Sequence, residues 1–118
     1  MFKIEGKTIK INRGDKGVIG LTIPDYQFQV GDIITIGVYD KKGLENNSKL
    51  FKSIEVENPC DELEITLTKE DTSIDEIINK EKTYWYEIEL NNETTIVGYD
   101  EEGPAEFILY PEGSDLVW

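Results

Sequence analysis

The chain contains no histidine, and a single cysteine, Cys60, in 118 residues. The first absence removes the Ser-His-Asp and Cys-His arrangements, in which an imidazole takes the nucleophile's proton, and the commonest zinc ligand. The second excludes a disulfide within the chain. Cys60 precedes Asp61 and Glu62. Neighbouring carboxylates disfavour a thiolate, so it does not read as a nucleophile. Basic residues are scarce as well: 12 Lys and Arg stand against 25 Asp and Glu, a net charge of −13. Such a surface repels phosphate backbones and anionic headgroups, which argues against nucleic acid and membrane partners. Its simplest effect is to keep copies of the chain apart. No stretch approaches the ~18 apolar residues of a spanning helix. Residues 1–6 lack the apolar run of a secretory leader. The chain is therefore expected to be made in a cytoplasm and to leave it only within an assembly. Gly14, Gly17 and Gly20 are spaced by three, but they open a strand rather than a helix, so no nucleotide loop is expected.

Alternation is what the chain has in abundance. Tyr84, Tyr86, Ile88 and Leu90 share one parity; Trp85, Glu87 and Glu89 share the other. A period of two gives a strand with one buried and one wet face. Asn91-Asn92 follows, and Asn tolerates the positive φ that tight hairpin turns require. A second strand, 93–99, completes the hairpin, which sets the class as antiparallel β.

Shorter alternating runs occupy 2–4, 8–11, 18–23, 33–39, 50–56, 62–67 and 107–110, separated by Gly, Pro, Asn and Asp. Lys52 interrupts the apolar parity of its run, the mark of an edge strand or a strand end. Thr68 followed by Lys69, Glu70 and Asp71 reads as a capped helix start, with Ile74, Ile77 and Ile78 at helical spacing. Residues 25–30 have no clear pattern. The loop from Asp40 through Ser48 is expected to be the most mobile, and 112–118 to fray. Hydrophobic residues make up only 38% and charged residues 31%, a balance that suits a thin two-layer fold. The expectation is one domain, 1–118: an all-β, immunoglobulin-like antiparallel sandwich of seven to nine short strands with one short helix or helical turn.

Few constellations suggest chemistry. Arg13-Gly14-Asp15 has the composition of a tight turn, with Gly for positive φ and Asp for a local hydrogen bond. Acidic clusters at Glu55/Glu57, Asp61/Glu62/Glu64, Glu70/Asp71/Asp75/Glu76 and Asp100-Glu101-Glu102 read as solvated charge. Paired carboxylates for glycosidic hydrolysis would need an opposed pair across a cleft. Calcium at Asp40 or Asp100-Glu101-Glu102 would need a spaced ligand order that the loops lack. No catalytic residue, cofactor or metal ligand is therefore assigned. Trp85, with Glu87 and Glu89 on the same face, is the candidate contact for a partner protein or a sugar.

Several stretches together carry a resemblance: Phe2-Lys3-Ile4-Glu5 with Thr8-Ile9, and Asn12-Arg13-Gly14-Asp15 leading into Ile19-Gly20-Leu21-Thr22-Ile23. Gly31-Asp32 before the run to Val38, Leu67-Thr68-Lys69-Glu70-Asp71-Thr72, the Tyr-rich hairpin and Gly103-Pro104-Ala105-Glu106-Phe107 follow. The order resembles small β-sandwich proteins encoded in phages and prophages of Gram-positive bacteria, and is similar to the N-terminal domain of phage baseplate upper proteins. The segment between Thr72 and Tyr84 is longer than in that pattern. The resemblance implies a non-enzymatic structural or assembly module of the particle (baseplate, tail or head accessory). It would dock to other virion or tail subunits and could form a homo-oligomer. The alternative is a carbohydrate- or cell-surface-binding sandwich.

Overall fold

The computed structural model describes residues 1–40, 48–75 and 79–112. In chain order its elements are β1 (Phe2–Glu5), β2 (Thr8–Asn12), β3 (Gly17–Thr22), β4 (Ile33–Tyr39), β5 (Ser48–Glu55), β6 (Glu62–Leu67), α1 (Lys69–Thr72), β7 (Lys82–Leu90), β8 (Thr94–Val97) and β9 (Ala105–Tyr110). The fold is all-β and sandwich-like. A seven-stranded sheet runs β1-β2-β9-β7-β4-β5, with β8 also paired to β7; β3 and β6 form a second, two-stranded sheet. One pairing departs from the antiparallel expectation: β2 and β9 run parallel, Ile9 opposite Phe107 and Ile11 opposite Leu109. Alternation specifies which face a side chain takes but not the direction of a distant neighbour, so this pairing has no local signature.

The core lies between the two sheets. Ile9, Ile11, Ile34, Ile36, Val38, Tyr84, Tyr86, Ile88, Phe107 and Leu109 come from the large sheet. Ile19, Leu21, Ile65 and Leu67 come from the small one. The even parity read in the hairpin is thus the buried one. Asn91 and Asn92 both have positive φ, 52° and 55°, and Glu93 N–H donates to the Leu90 carbonyl at 3.0 Å. Pairing resumes at Thr94 opposite Leu90. Asn91 also ties the turn to β4: it accepts from Ile33 N–H at 2.8 Å and donates to Asp32 at 3.1 Å.

Residues 25–30, without pattern in the sequence, hold a core residue. Asp25, at φ 59°, closes a turn in which Tyr26 N–H reaches the Ile23 carbonyl. The chain then lays Phe28 against Cys60 in a short antiparallel bridge. Phe28 is fully buried, and Tyr26 meets it edge-on at 5.9 Å. Cys60 is half-buried beside the core.

The helical turn is short. Thr68 accepts from Asp71 N–H, and the Asp71 carboxylate accepts from Thr68 N–H, a reciprocal capping box. Ile74 is buried just beyond the last turn; Ile77 and Ile78 lie outside the described residues, as do most of the 40–48 loop and the 113–118 tail.

Lys52 explains its own irregularity. β5 is an edge strand, and Lys52, opposite Ile36, points inward. Its ammonium donates to the Thr66 carbonyl at 2.6 Å and to Asp71 at 2.7 Å, so it fastens one layer to the other. Burial alone would raise the Asp71 carboxyl; the bonds from Lys52 and Thr68 N–H outweigh it and hold the group below its ordinary range. Lys52→Met keeps the stem and removes the charge-assisted bonds. It is expected to lower unfolding free energy by about 1.5 kcal/mol in urea titration at neutral pH. An unchanged midpoint would mean that the staple contributes nothing.

Candidate functional site

The face of the large sheet turned away from the core is covered by no described element. Its side chains follow from parity and register. Trp85 stands opposite Tyr39 on one side and Glu106 on the other; Glu87 stands opposite Gly37, and Glu89 opposite Thr35. Phe51, on the edge strand, is opposite Gly37 and 60% exposed. Gly37 matters because it leaves a hole. A Cβ there would lie 2.5 Å from the Tyr39 hydroxyl oxygen, so the Tyr39 side chain leans across the glycine into the middle of the face.

This crowding corrects the expectation that the Trp85 face is fully wet. Trp85, Glu87, Glu89, Glu106 and Tyr39 are all half-buried, and Thr35 beneath them is only 5% exposed. Large side chains standing side by side shelter one another without a covering layer. The electrostatic result is unfavourable for charge. Burial first, then the adjacent Glu89, pushes the Glu87 carboxyl up. Burial, followed by Glu87 and Glu89, pushes the Tyr39 phenol up as well.

The three residues singled out from the sequence therefore share one face, and two others were missed. Tyr39 ends a strand and carries no motif, and only the register reveals that Gly37 makes room for it. Phe51 was placed by its strand but not recognised as an exposed aromatic at the sheet edge.

The other candidates are absorbed by the fold. Arg13 sends its guanidinium to the Ile74 carbonyl at 3.2 Å and the Asp75 carbonyl at 3.0 Å, while Asp15 takes the N-terminal ammonium at 2.8 Å. Asp100, of the acidic loop considered for calcium, accepts from Lys7 at 2.6 Å and from Glu102 N–H at 2.8 Å. The same ammonium also donates to the carbonyls of Gly98 and Gly103. Asp40 lies 3.7 Å from Lys49. Asp75 receives Lys49, Lys82 and the Tyr84 hydroxyl. Glu76 lies outside the described residues. Among the described residues no three Asp, Glu or Cys side chains converge as metal ligands would.

The concavities away from the face include an open hollow of about 460 Å³ beside Thr22, Tyr26 and Asp61 and two others. One, of about 120 Å³, opens between the layers beside Ile4, Ile19 and Tyr86, below the ~300 Å³ usual for a ligand pocket. The other is an open groove of about 430 Å³ between Ile23, Pro24 and Tyr26 and the Leu90–Ile96 turn region. Neither brings together groups that could run a reaction. The chain matches no protein-family model, no curated protein and no solved structure.

Proposed function

We propose that this chain is a non-enzymatic assembly module of a phage or prophage particle. It docks other virion or tail subunits through the outer face of its large sheet. The observation that carries the reading is that face, where Trp85, Tyr39 and the exposed Phe51 stand together with no described element over them. Large aromatics supply contact area at low entropic cost, and clustered ones are what docking surfaces concentrate. Among the described residues the outer edge of β5 pairs with no strand, and it offers backbone groups for a partner strand. The negative charge of free subunits opposes premature self-association. The motif order of the sequence supports the particle context, and the lack of histidine supports the non-enzymatic reading.

Mass spectrometry of purified particles, induced from a lysogen carrying the gene, is expected to find this chain with cross-links to another subunit near Trp85. Complete particles without the chain would overturn the particle context. Cross-links confined to the β3–β6 layer would overturn the face. A carbohydrate reading has one specific observation in its favour: Trp85 and Tyr39 stand opposite each other with carboxylates alongside, a layout that can stack and hydrogen-bond a sugar ring. A glycan array with the wild type and Trp85→Ala separates the two. A glycan signal that Trp85→Ala abolishes would favour the sugar; no signal, or one indifferent to the change, removes it.

A further inference from the structure

Glu87 and Glu89 project from the same face of one strand, two residues apart, and Glu106 stands across from Trp85 on the next strand. All three are half-buried, and among the described residues none lies within ion-pair distance of a cation. Several carboxylates elsewhere do hold a cation. Lys3 and Lys10 hold Glu5, Lys7 holds Asp100, Lys49 and Lys82 hold Asp75, and Lys52 holds Asp71. Among the described residues most cations are thus paired elsewhere, while Glu87 and Glu89, crowded by burial and by each other, pair with none. Between them stand the π-faces of Trp85 and Tyr39, which attract cations in their own right.

We infer that the segment received by this face is basic: an extended, Arg- or Lys-bearing stretch of another protein, its cations seated over Trp85 and Tyr39 and among Glu87, Glu89 and Glu106. The inference rests on the docking reading above and names the chemistry of the partner. Charge complementarity decides the occupant. A second copy of a chain with net charge −13 would bring more carboxylate to a face already short of cations. A basic strand relieves the Glu87–Glu89 repulsion and replaces their lost hydration with charge-assisted bonds. Planar guanidinium fits both requirements, since it stacks on aromatic rings and forks onto carboxylates.

The test uses the full chain carrying Trp118→Phe, so that Trp85 is the only tryptophan. A blocked peptide of alternating Thr and Arg is titrated at low salt while Trp85 emission is followed; the Thr-Glu peptide is the comparison. Saturable binding of the Arg peptide alone is expected. Glu87→Gln with Glu89→Gln should weaken it about tenfold or more. Glu62→Gln with Glu64→Gln removes the same charge from the other layer and should change it less than about twofold. Equal weakening by both pairs would reduce the effect to bulk charge and overturn the inference. Binding of the Glu peptide would also overturn it, as would binding that appears only after Lys41→Gln and Lys42→Gln, which would assign the face to the chain's own lysines. If no Arg peptide binds but particle cross-links still map to Trp85, the basic partner falls and the docking reading stands. If neither is seen, both fall.

Discussion

Phe107→Ala is expected to lower the free energy of unfolding by about 4 kcal/mol, with the urea m-value little changed. Phe107 is fully buried on β9 and sits in register between Ile9 of β2 and Tyr84 of β7. Both neighbours are backbone-paired to β9, so neither can move far to fill the space a truncated ring leaves. The cost is therefore the lost transfer energy of the ring plus a cavity that stays open. For a domain of ordinary stability, ~5–15 kcal/mol, that is a large share of the total. The next residue supplies the control. Ile108 lies on the outer face, half-buried, and Ile108→Ala should cost less than about 1.5 kcal/mol. Equal effects at the two positions would mean that the layers do not press together as described.

Asp75→Ala should cost about 3 kcal/mol at neutral pH, the second largest effect expected of a single side chain. Its carboxylate accepts from the Tyr84 hydroxyl and pairs with Lys49 and Lys82, while Lys82 also lies 4.8 Å above the Tyr84 ring. Removing it strands a buried phenol without its acceptor and leaves two ammonium groups facing each other. The pH dependence has a definite sign. Burial would raise the Asp75 carboxyl; the bonds from Tyr84, Lys49 and Lys82 outweigh it and hold the group far below its ordinary value of 3.8. A carboxyl that is more acidic in the folded state contributes its full stability above the ordinary value and loses it as pH falls toward the depressed one. Wild-type stability should therefore decline on acidification from about pH 5 downward, and Asp75→Ala should show a shallower decline. A variant whose acid limb parallels the wild type would show that Asp75 is not the group being titrated.

Most strands were legible because the central ones bury one face, and burial writes itself as alternation. The hairpin from Tyr84 carried the clearest copy of that signal; its turn and its buried parity fold as read, while its second strand is shorter, Thr94–Val97 in place of 93–99. Phe28 escaped because it pairs with Cys60 through an isolated bridge just after the turn at Asp25, rather than within a strand, so there was no run to count. Partners distant in sequence escaped for a different reason. Lys52 was visible as an anomaly, but nothing in its neighbourhood names Asp71. Arg13 was read as turn chemistry, although its side chain serves the carbonyls of residues 73–75. The Trp85 face was legible from parity alone. Its depth was not, because half-burial there depends on Gly37 making room for Tyr39, and such vacancies appear only once register is known.

The position of β9 bears on how the protein is made. It is the last described strand to leave a ribosome, yet it fills the slot between β2 and β7 in the large sheet. Until it arrives, a growing chain holds two unmated strand borders and an unsealed oily interior. Docking of this strand must therefore come late, and it joins β2 to β7 across the large sheet in one step. Such non-local closure is slow and exposes the nascent form to mispairing. Shortened products ending before Ala105 should accumulate as aggregates, whereas ones ending after Tyr110 should stay in solution.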